Sequence, residues 1–218
     1  MRFPSSLHAD VARAVVDLQP PISPIVARHF GTAWNGVEQR YRMACEYRDE
    51  FAQLVSQAGP GARRYEEDKA LFGFFGAVTS VVDCLSYSVH AVGSMRSPAE
   101  FCFTRAALKN VKTHIVDQKV AALFTGTDLA VEFTALRNSR ELKNLKTVRN
   151  VLIHRVVPGR QIHLSTHTAV PDDWDLKIHG EDDLTLDICE VDSFLSWLPP
   201  TLERIMRAIL QFCADRRA

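Results

Sequence analysis

The sequence predicts a mainly α-helical bundle, and three observations support this class. Apolar residues recur at helical spacing along most of the chain, Pro- and Gly-containing turns separate these segments, and β-like alternation is confined to one stretch near the carboxyl end. With 218 residues, the chain is long enough to bury a full hydrophobic core and short enough for one domain. We therefore expect a single helical domain over residues 1–218.

The first two predicted helices are amphipathic. Residues 7–18 carry apolar side chains at helical spacing, and Gln19-Pro20-Pro21 ends that helix. A short loop containing Pro24 follows. Residues 32–57 form the second predicted helix, which Gly59-Pro60-Gly61 ends.

The third predicted helix, residues 66–92, is apolar on nearly every side, which is typical of a central core helix. Within residues 70–95 the ionisable residues are Asp83 and His90. A membrane span needs roughly 20 predominantly apolar residues, but Asp83 falls near the middle of this segment and several Ser and Thr residues accompany it. The pattern favours a buried helix of a soluble protein and no membrane contact.

Turn and capping signals divide the next part of the chain. Ser97-Pro98-Ala99-Glu100 matches a capping box and predicts a helix to about residue 111. Gly126 marks a break, after which Thr127 or Asp128 can cap a short helix to about residue 136. Another helix is expected from Ser139 to the Pro158-Gly159 break.

The segment after this helix changes character. Residues 161–170 and 175–188 are short, β-branched and partly alternating, so they predict a small antiparallel β-hairpin within residues 161–188. A carboxyl-terminal helix over residues 190–213 should follow it. Pro199-Pro200 must kink or split that helix, because proline lacks the amide N–H.

Composition excludes several functional classes. Lys plus Arg and Asp plus Glu both total 26, so nucleic-acid contact must depend on a local patch. Five scattered cysteines and the lack of a secretory signal are typical of a reduced, cytoplasmic protein. The sequence has no phosphate-binding glycine loop, Gly-x-Ser-x-Gly elbow or His-Glu-x-x-His motif.

The most informative segment is Arg149-Asn150-Val151-Leu152-Ile153-His154. Arg149 falls inside the broad apolar face of its predicted helix, and a guanidinium there needs a carboxylate, phosphate or carbonyl partner. Asp83 is the candidate within the chain. Asn150 and His154 are one turn apart and form a polar stripe with Lys146.

This Arg-Asn-x-x-x-His order resembles the Arg-x4-6-His motif of HEPN-family RNA-cleaving domains, and the apolar third helix is similar to core helices of HEPN bundles. The resemblance covers roughly residues 32–158 in layout and six residues in motif. It implies a metal-independent endoribonuclease that uses no cofactor and works as a cytoplasmic homodimer. His154 would be the general acid or base, Arg149 would hold the scissile phosphate, and Asn150 would orient one of them.

The resemblance also implies a toxin or defence role, with RNA as substrate and an antitoxin-like protein as a possible partner. The alternative is a non-catalytic HEPN-like bundle that binds a protein or nucleic acid, and a purely structural helical module is a third interpretation. Under the structural interpretation, Arg149 pairs with Asp83 to fix helix packing and His154 is an ordinary surface histidine.

Two further patterns are weaker. His163, His167 and His179 could bind zinc with Asp172 or Asp175, but solvated strand histidines explain them as well, and we predict no metal. The region from residue 105 to 160 is locally basic and could supply an RNA track or simply a solvated face. Its basic residues include Lys109, Lys112, Lys119, Lys143, Lys146, Arg149, Arg155 and Arg160.

Overall fold

The computed structural model describes residues 2–18, 23–57, 63–154, 159–161, 173–175, 185–186 and 188–215. In this part of the chain eight helices dominate, which confirms the mainly helical class. The helices are α1 (Ser5–Val16), α2 (Pro24–Gln57), α3 (Arg64–Ser94), α4 (Arg105–Leu108), α5 (Thr113–Leu123), α6 (Asp128–Asn138), α7 (Arg140–His154) and α8 (Ile188–Ala214).

Contacts between Cα atoms divide the chain into two compact units. The first unit contains Met1–Arg40, Ser80–Ser139 and Leu198–Ala218, and the second contains Tyr41–Thr79 and Arg140–Trp197. The expectation of a single domain over residues 1–218 stays a prediction.

Aromatic side chains fill the core of the first unit. Phe101 stacks on Phe124 with ring centroids 5.7 Å apart, and Phe124 meets Phe212 at 4.8 Å. Hydrogen bonds and ring stacking join α1 to α2. The His8 ring stacks on Trp34. The Trp34 indole N–H donates to the His8 carbonyl, and His8 Nε2 contacts the Trp34 carbonyl, both at 2.9 Å.

The second unit has its own apolar core. Phe75 contacts Phe74 and Phe194 edge-on, with centroids 5.1 and 5.5 Å apart. Arg48 joins α2 to the first turns of α8 by a two-point contact with Asp192, at 2.7 and 3.1 Å. Such a forked contact fixes the orientation of both side chains.

The start of α2 differs from the sequence prediction. Residues 24–31 are helical, whereas the sequence predicted a loop around Pro24 and a helix from residue 32. Pro24 is the first residue of α2, a position where its missing N–H costs nothing and its fixed φ suits the helix. The Ala27 amide closes the first turn by donating to the Ser23 carbonyl at 2.9 Å.

The predicted helix from Ser97 to about residue 111 is wrong. Residues 97–101 form turns, and α4 is only four residues long, with Thr104 as the N-cap that accepts from the Ala107 amide. Phe101 is fully buried and packs on His90 as well as Phe124. Burial of the Phe101 ring requires a turn at residues 97–101. This burial outweighs the capping box, which predicted the start of a helix at Ser97.

The last predicted elements have mixed outcomes. Helix α8 continues through Pro199 and Pro200, so these residues do not split it, and the kink that was the other expectation stays a prediction. The strands β1 (Gly159–Gln161), β2 (Asp173–Asp175) and β3 (Thr185–Leu186) pair antiparallel in the order β1-β2-β3. Most of the predicted hairpin, residues 162–172 and 176–184, lies outside the described residues, so the hairpin stays a prediction.

Helix α3 confirms the long apolar segment but not its burial on every side. Phe72 is 49% exposed and Asp83 is exposed, while Phe74, Val78 and Leu85 are buried. Among the described helices, α3 is the one long and apolar enough to cross a membrane by length and composition. The buried core helix of a soluble protein meets the same test, and more than half of the most apolar part of α3 is buried.

Candidate functional site

Helix α7 carries the Arg-Asn-x-x-x-His segment and ends at its histidine. Thr127-capped α6 ends at Asn138, and after Ser139 the chain re-enters helix at Arg140. The helix then continues without interruption to His154. Its buried stripe, which anchors it in the second unit, consists of Leu142, Leu145, Val148 and Val151.

Arg149 lies at the edge of this stripe and not within it. Its side chain is half-buried, and the next residue, Asn150, is exposed. The guanidinium Nη1 donates to the Asn150 Oδ1 at 3.3 Å, which is a long hydrogen bond between sequence neighbours. The prediction that Arg149 points into the apolar face is therefore wrong in degree: the guanidinium keeps access to solvent.

Two of the remaining predicted site residues, Lys146 and Asp83, are described. Lys146 is half-buried on α7, one turn before Asn150. Asp83 belongs to the first unit, is exposed, and lines a groove there with Arg40 and Tyr87. The sequence predicted a central core helix that is covered on nearly every side, whereas Asp83 is exposed.

His154 is the last residue of α7. Its backbone position follows Asn150 by one helical turn, as the sequence predicted, since α7 is regular over these residues. The structure thus brings Arg149 and Asn150 into contact, and the role of the His154 side chain stays a prediction.

The predicted basic track is only partly described. Lys109, Lys112 and Lys143 are exposed. Lys119 is half-buried, and its ammonium donates a hydrogen bond to the Glu100 carbonyl, so this side chain stabilises the first unit.

The suggested zinc residues His163, His167, His179 and Asp172 lie outside the described residues. Within the described ones, no group of three His, Cys, Asp or Glu side chains could hold a metal ion.

The structure reveals a buried acid that sequence reasoning missed. Asp117 on α5 has a side chain only 2% exposed. Its carboxylate accepts from Thr134 Oγ1 at 2.7 Å and from Arg137 Nη1 at 2.9 Å, both on α6. Thr134 and Arg137 are three residues apart and therefore lie on one face of α6. This spacing of two hydrogen-bond donors was the sequence pattern that could have predicted partners for a buried acid.

His90 is a second buried polar group that the sequence left without a role. Its Nε2 contacts the Cys102 carbonyl at 3.2 Å, and its ring lies among Phe101 and Phe103. Burial lowers the pKa of His90 below its ordinary value. This histidine is therefore neutral near pH 7 and helps to hold the 95–104 connection on the end of α3.

Comparison of the chain with protein-family models, with curated proteins and with solved structures gives no match.

Proposed function

We propose that this protein is a HEPN-like endoribonuclease that cleaves RNA without a metal ion and uses Arg149 and His154. The observation that supports this best is the setting of Arg149. The guanidinium is half-buried at the edge of the buried stripe of α7 and is held against the exposed Asn150. An arginine that is oriented by packing and still reaches solvent is suited to grip a phosphate.

The proposed reaction is an internal transesterification. The ribose 2′-oxygen attacks the adjacent phosphorus and passes its proton to a general base. The bond from phosphorus to the 5′-oxygen breaks, and that oxygen takes a proton from a general acid, which leaves a 2′,3′-cyclic phosphate and a 5′-hydroxyl. An imidazole can perform either proton transfer near neutral pH.

Each residue of the motif has one task in this proposal. His154 transfers a proton, as base or as acid. Arg149 binds the non-bridging phosphate oxygens and stabilises the charge that develops there. Asn150 accepts a hydrogen bond from the Arg149 guanidinium and so fixes its direction.

One copy of the motif supplies one histidine, whereas the reaction needs a base and an acid. We therefore include a homodimer in the proposal, in which two copies of the motif face one substrate. A toxin or defence role, with an antitoxin-like protein that blocks the motif, is consistent with such an enzyme.

The test is cleavage of a single-stranded RNA by purified protein in excess chelator. We expect wild-type protein to yield products with 2′,3′-cyclic phosphate ends. His154→Ala should slow cleavage by on the order of 10²–10⁴ and leave the melting temperature nearly unchanged. His114→Ala is the matched control, because His114 is an exposed histidine on α5 in the first unit.

The arginine is tested in the same assay. Arg149→Lys keeps the positive charge but loses the forked donors, so it should still lose most activity. Arg140→Lys, an exposed arginine at the start of the same helix, should keep full activity. Equal RNA half-lives for wild type and His154→Ala would refute the nuclease and favour the non-catalytic bundle that binds a protein or nucleic acid.

A further inference from the structure

A short segment of the first unit presents three cations that no described carboxylate neutralises. The segment, residues 104–112, contains α4 and the turn that leads to α5. Arg105, Lys109 and Lys112 are exposed, and their side chains form no hydrogen bond or ion pair with any described residue. We call these three residues the α4–α5 cations.

Several exposed cations elsewhere in the described chain do pair with an acid. Arg13 and Arg207 each contact an acid on their own helix, and Lys69 contacts Glu50. The chain as a whole has no net charge. An electrostatic field that attracts an anionic partner must therefore come from cations without such carboxylate partners.

The acids nearest in sequence do not cancel the charge of the segment. Residues 101–116 contain three Lys or Arg residues and no Asp or Glu. Asp117, which follows, is 2% exposed and is already paired with Arg137. Glu100, which precedes, has the Lys119 ammonium at its backbone carbonyl, so a further cation lies beside it.

Backbone hydrogen bonds hold the segment in a defined conformation. Thr104 caps α4 by accepting from the Ala107 amide at 3.2 Å. The Asn110 amide donates to the Ala107 carbonyl, and the Lys112 amide donates to the Asn110 carbonyl, both at 2.9 Å. The three cations thus extend from a backbone that is already ordered, which lowers the entropic cost of binding.

The α4–α5 cations lie close enough to act on one ligand. Arg105 and Lys109 are about one helical turn apart, which is about 6 Å along the axis. The three residues from Lys109 to Lys112 span at most about 11 Å between Cα atoms. The screening length at physiological salt is about 8 Å, so the fields of neighbouring cations overlap.

The exposed surface of the segment indicates the class of partner. Its larger apolar residues, Leu108 and Val111, are half-buried, and the exposed Ala106 is small. Attachment to anionic lipid takes roughly four to eight clustered cations or a large apolar side chain that inserts. A stable protein interface needs a desolvated aromatic or apolar centre. A polyanion with charges along its backbone needs only spaced cations.

We propose that the α4–α5 cations bind the phosphate backbone of single-stranded RNA, whatever its base sequence. Each cation contacts one phosphate, and such contacts position a strand without reading its bases. The choice of RNA as the polyanion rests on the proposed nuclease, whereas the binding itself involves no cleavage.

The experiment is fluorescence anisotropy of a short labelled 2′-O-methyl RNA titrated with the full chain in chelator at low salt. This RNA keeps every phosphate but lacks the 2′-hydroxyl that cleavage needs. We expect it to bind, and the logarithm of the binding constant to fall with the logarithm of the salt concentration by about 0.7 per phosphate contact. A peptide nucleic acid of the same sequence has an uncharged backbone and should not bind.

The variant that removes the α4–α5 cations combines Arg105→Gln, Lys109→Gln and Lys112→Gln. It should reduce the salt slope by about 2, because three contacts of about 0.7 each are lost. At low salt the same loss should weaken binding by at least about 100-fold. Exposed substitutions of this kind should leave the melting temperature nearly unchanged.

The charge-matched control combines Arg13→Gln, Lys69→Gln and Arg207→Gln. It removes the same number of positive charges from exposed residues that have carboxylate partners. Both triple variants therefore have the same net charge, and a difference between them reports the position of the charges. We expect the control to keep the salt slope of wild type and to bind within about threefold of it.

Four results would overturn the proposal. No anisotropy change up to about 100 µM protein would show that the chain does not bind RNA. Equal slopes and affinities of the two triple variants would show that RNA does not contact the α4–α5 cations. Equal binding of the peptide nucleic acid would show that phosphates are not recognised. Tighter binding of poly-L-glutamate or phosphatidylserine vesicles, lost in the first triple variant, would assign the segment to an acidic protein or a membrane.

The two proposals fail separately. Because 2′-O-methyl RNA cannot be cleaved by attack of a 2′-hydroxyl, its binding is measured whether or not the protein is a nuclease. Absence of cleavage of ordinary RNA would refute the nuclease, and the comparison of the two triple variants would still decide whether these cations bind RNA.

Discussion

Asp83 and Asp117 are both acids on helices with buried apolar faces, and their surroundings are opposite. Asp83 on α3 is exposed and lines a groove with Arg40 and Tyr87. Asp117 on α5 is almost completely buried, with Thr134 and Arg137 of α6 as its partners. The comparison teaches that the polar environment of an acid depends on which neighbouring helix covers it, and not on how apolar its own helix is.

Loss of the buried acid should have the largest effect. Asp117→Ala leaves the Thr134 hydroxyl and the Arg137 guanidinium without their acceptor, so we expect a loss of about 2–4 kcal/mol in the free energy of unfolding. Asp83→Ala should change it by no more than about 0.5 kcal/mol, because an exposed side chain is rehydrated. Urea unfolding followed by circular dichroism measures both. Equal losses would mean that the comparison between the two acids is wrong.

The arginines extend the comparison with a smaller expected effect. Arg137→Met removes one partner of a buried carboxylate and should cost about 1–3 kcal/mol, reduced because Arg137 is 39% exposed. Arg149→Met removes a half-buried guanidinium whose described hydrogen bond is to an exposed asparagine, so it should cost less than about 1 kcal/mol. The same unfolding measurement applies. A larger loss at Arg149 would indicate a structural ion pair and weaken the proposed phosphate contact.

The pH dependence of stability tests the same comparison at His90, a polar residue of α3 that neighbouring elements cover. It follows Asp83 on α3 by seven residues and therefore lies on nearly the same face, yet it is 3% exposed. Burial lowers its pKa in the folded protein, so below its ordinary value of about 6.5 the unfolded chain binds more protons. Stability should therefore fall as the pH decreases from about 7 to 5.

The control for this prediction is His90→Gln, which cannot gain the proton. Its stability is expected to depend less on pH over the same range than that of wild type, whatever its absolute stability. Parallel pH profiles of the two proteins would show that His90 is not responsible.

The sequence predicted the regular helices well because their apolar spacing is local information. Helices α3, α6 and α7 begin and end within a few residues of their predicted bounds, and Thr127 caps α6 as expected. It failed at residues 97–111, where the capping box was outweighed by burial of Phe101 against His90 and Phe124. No local pattern contains that information.

The candidate site divides in the same way. The order Arg149-Asn150 on a helix and its one-turn relation to His154 follow from the sequence, because they depend only on helical geometry. The degree of burial of Arg149 and the exposure of Asp83 depend on neighbouring helices, so neither could be predicted from the sequence of its own helix. The groove lined by Arg40, Asp83 and Tyr87 has no local sequence pattern either, since α2 and α3 bring these residues together from distant parts of the chain.

The reciprocal hydrogen bonds of His8 and Trp34 have a practical consequence for α1. Each of these two rings forms a hydrogen bond with the backbone carbonyl of the other residue, and these bonds join α1 to α2. Trp34 is only 1% exposed while α1 is packed on it. Detachment of α1 would admit water to the indole and shift its fluorescence emission to longer wavelength. The fluorescence of Trp34 therefore reports local opening at α1. Because a protease must reach the detached helix, the rate of cleavage within α1 should not exceed the rate of opening that this fluorescence measures.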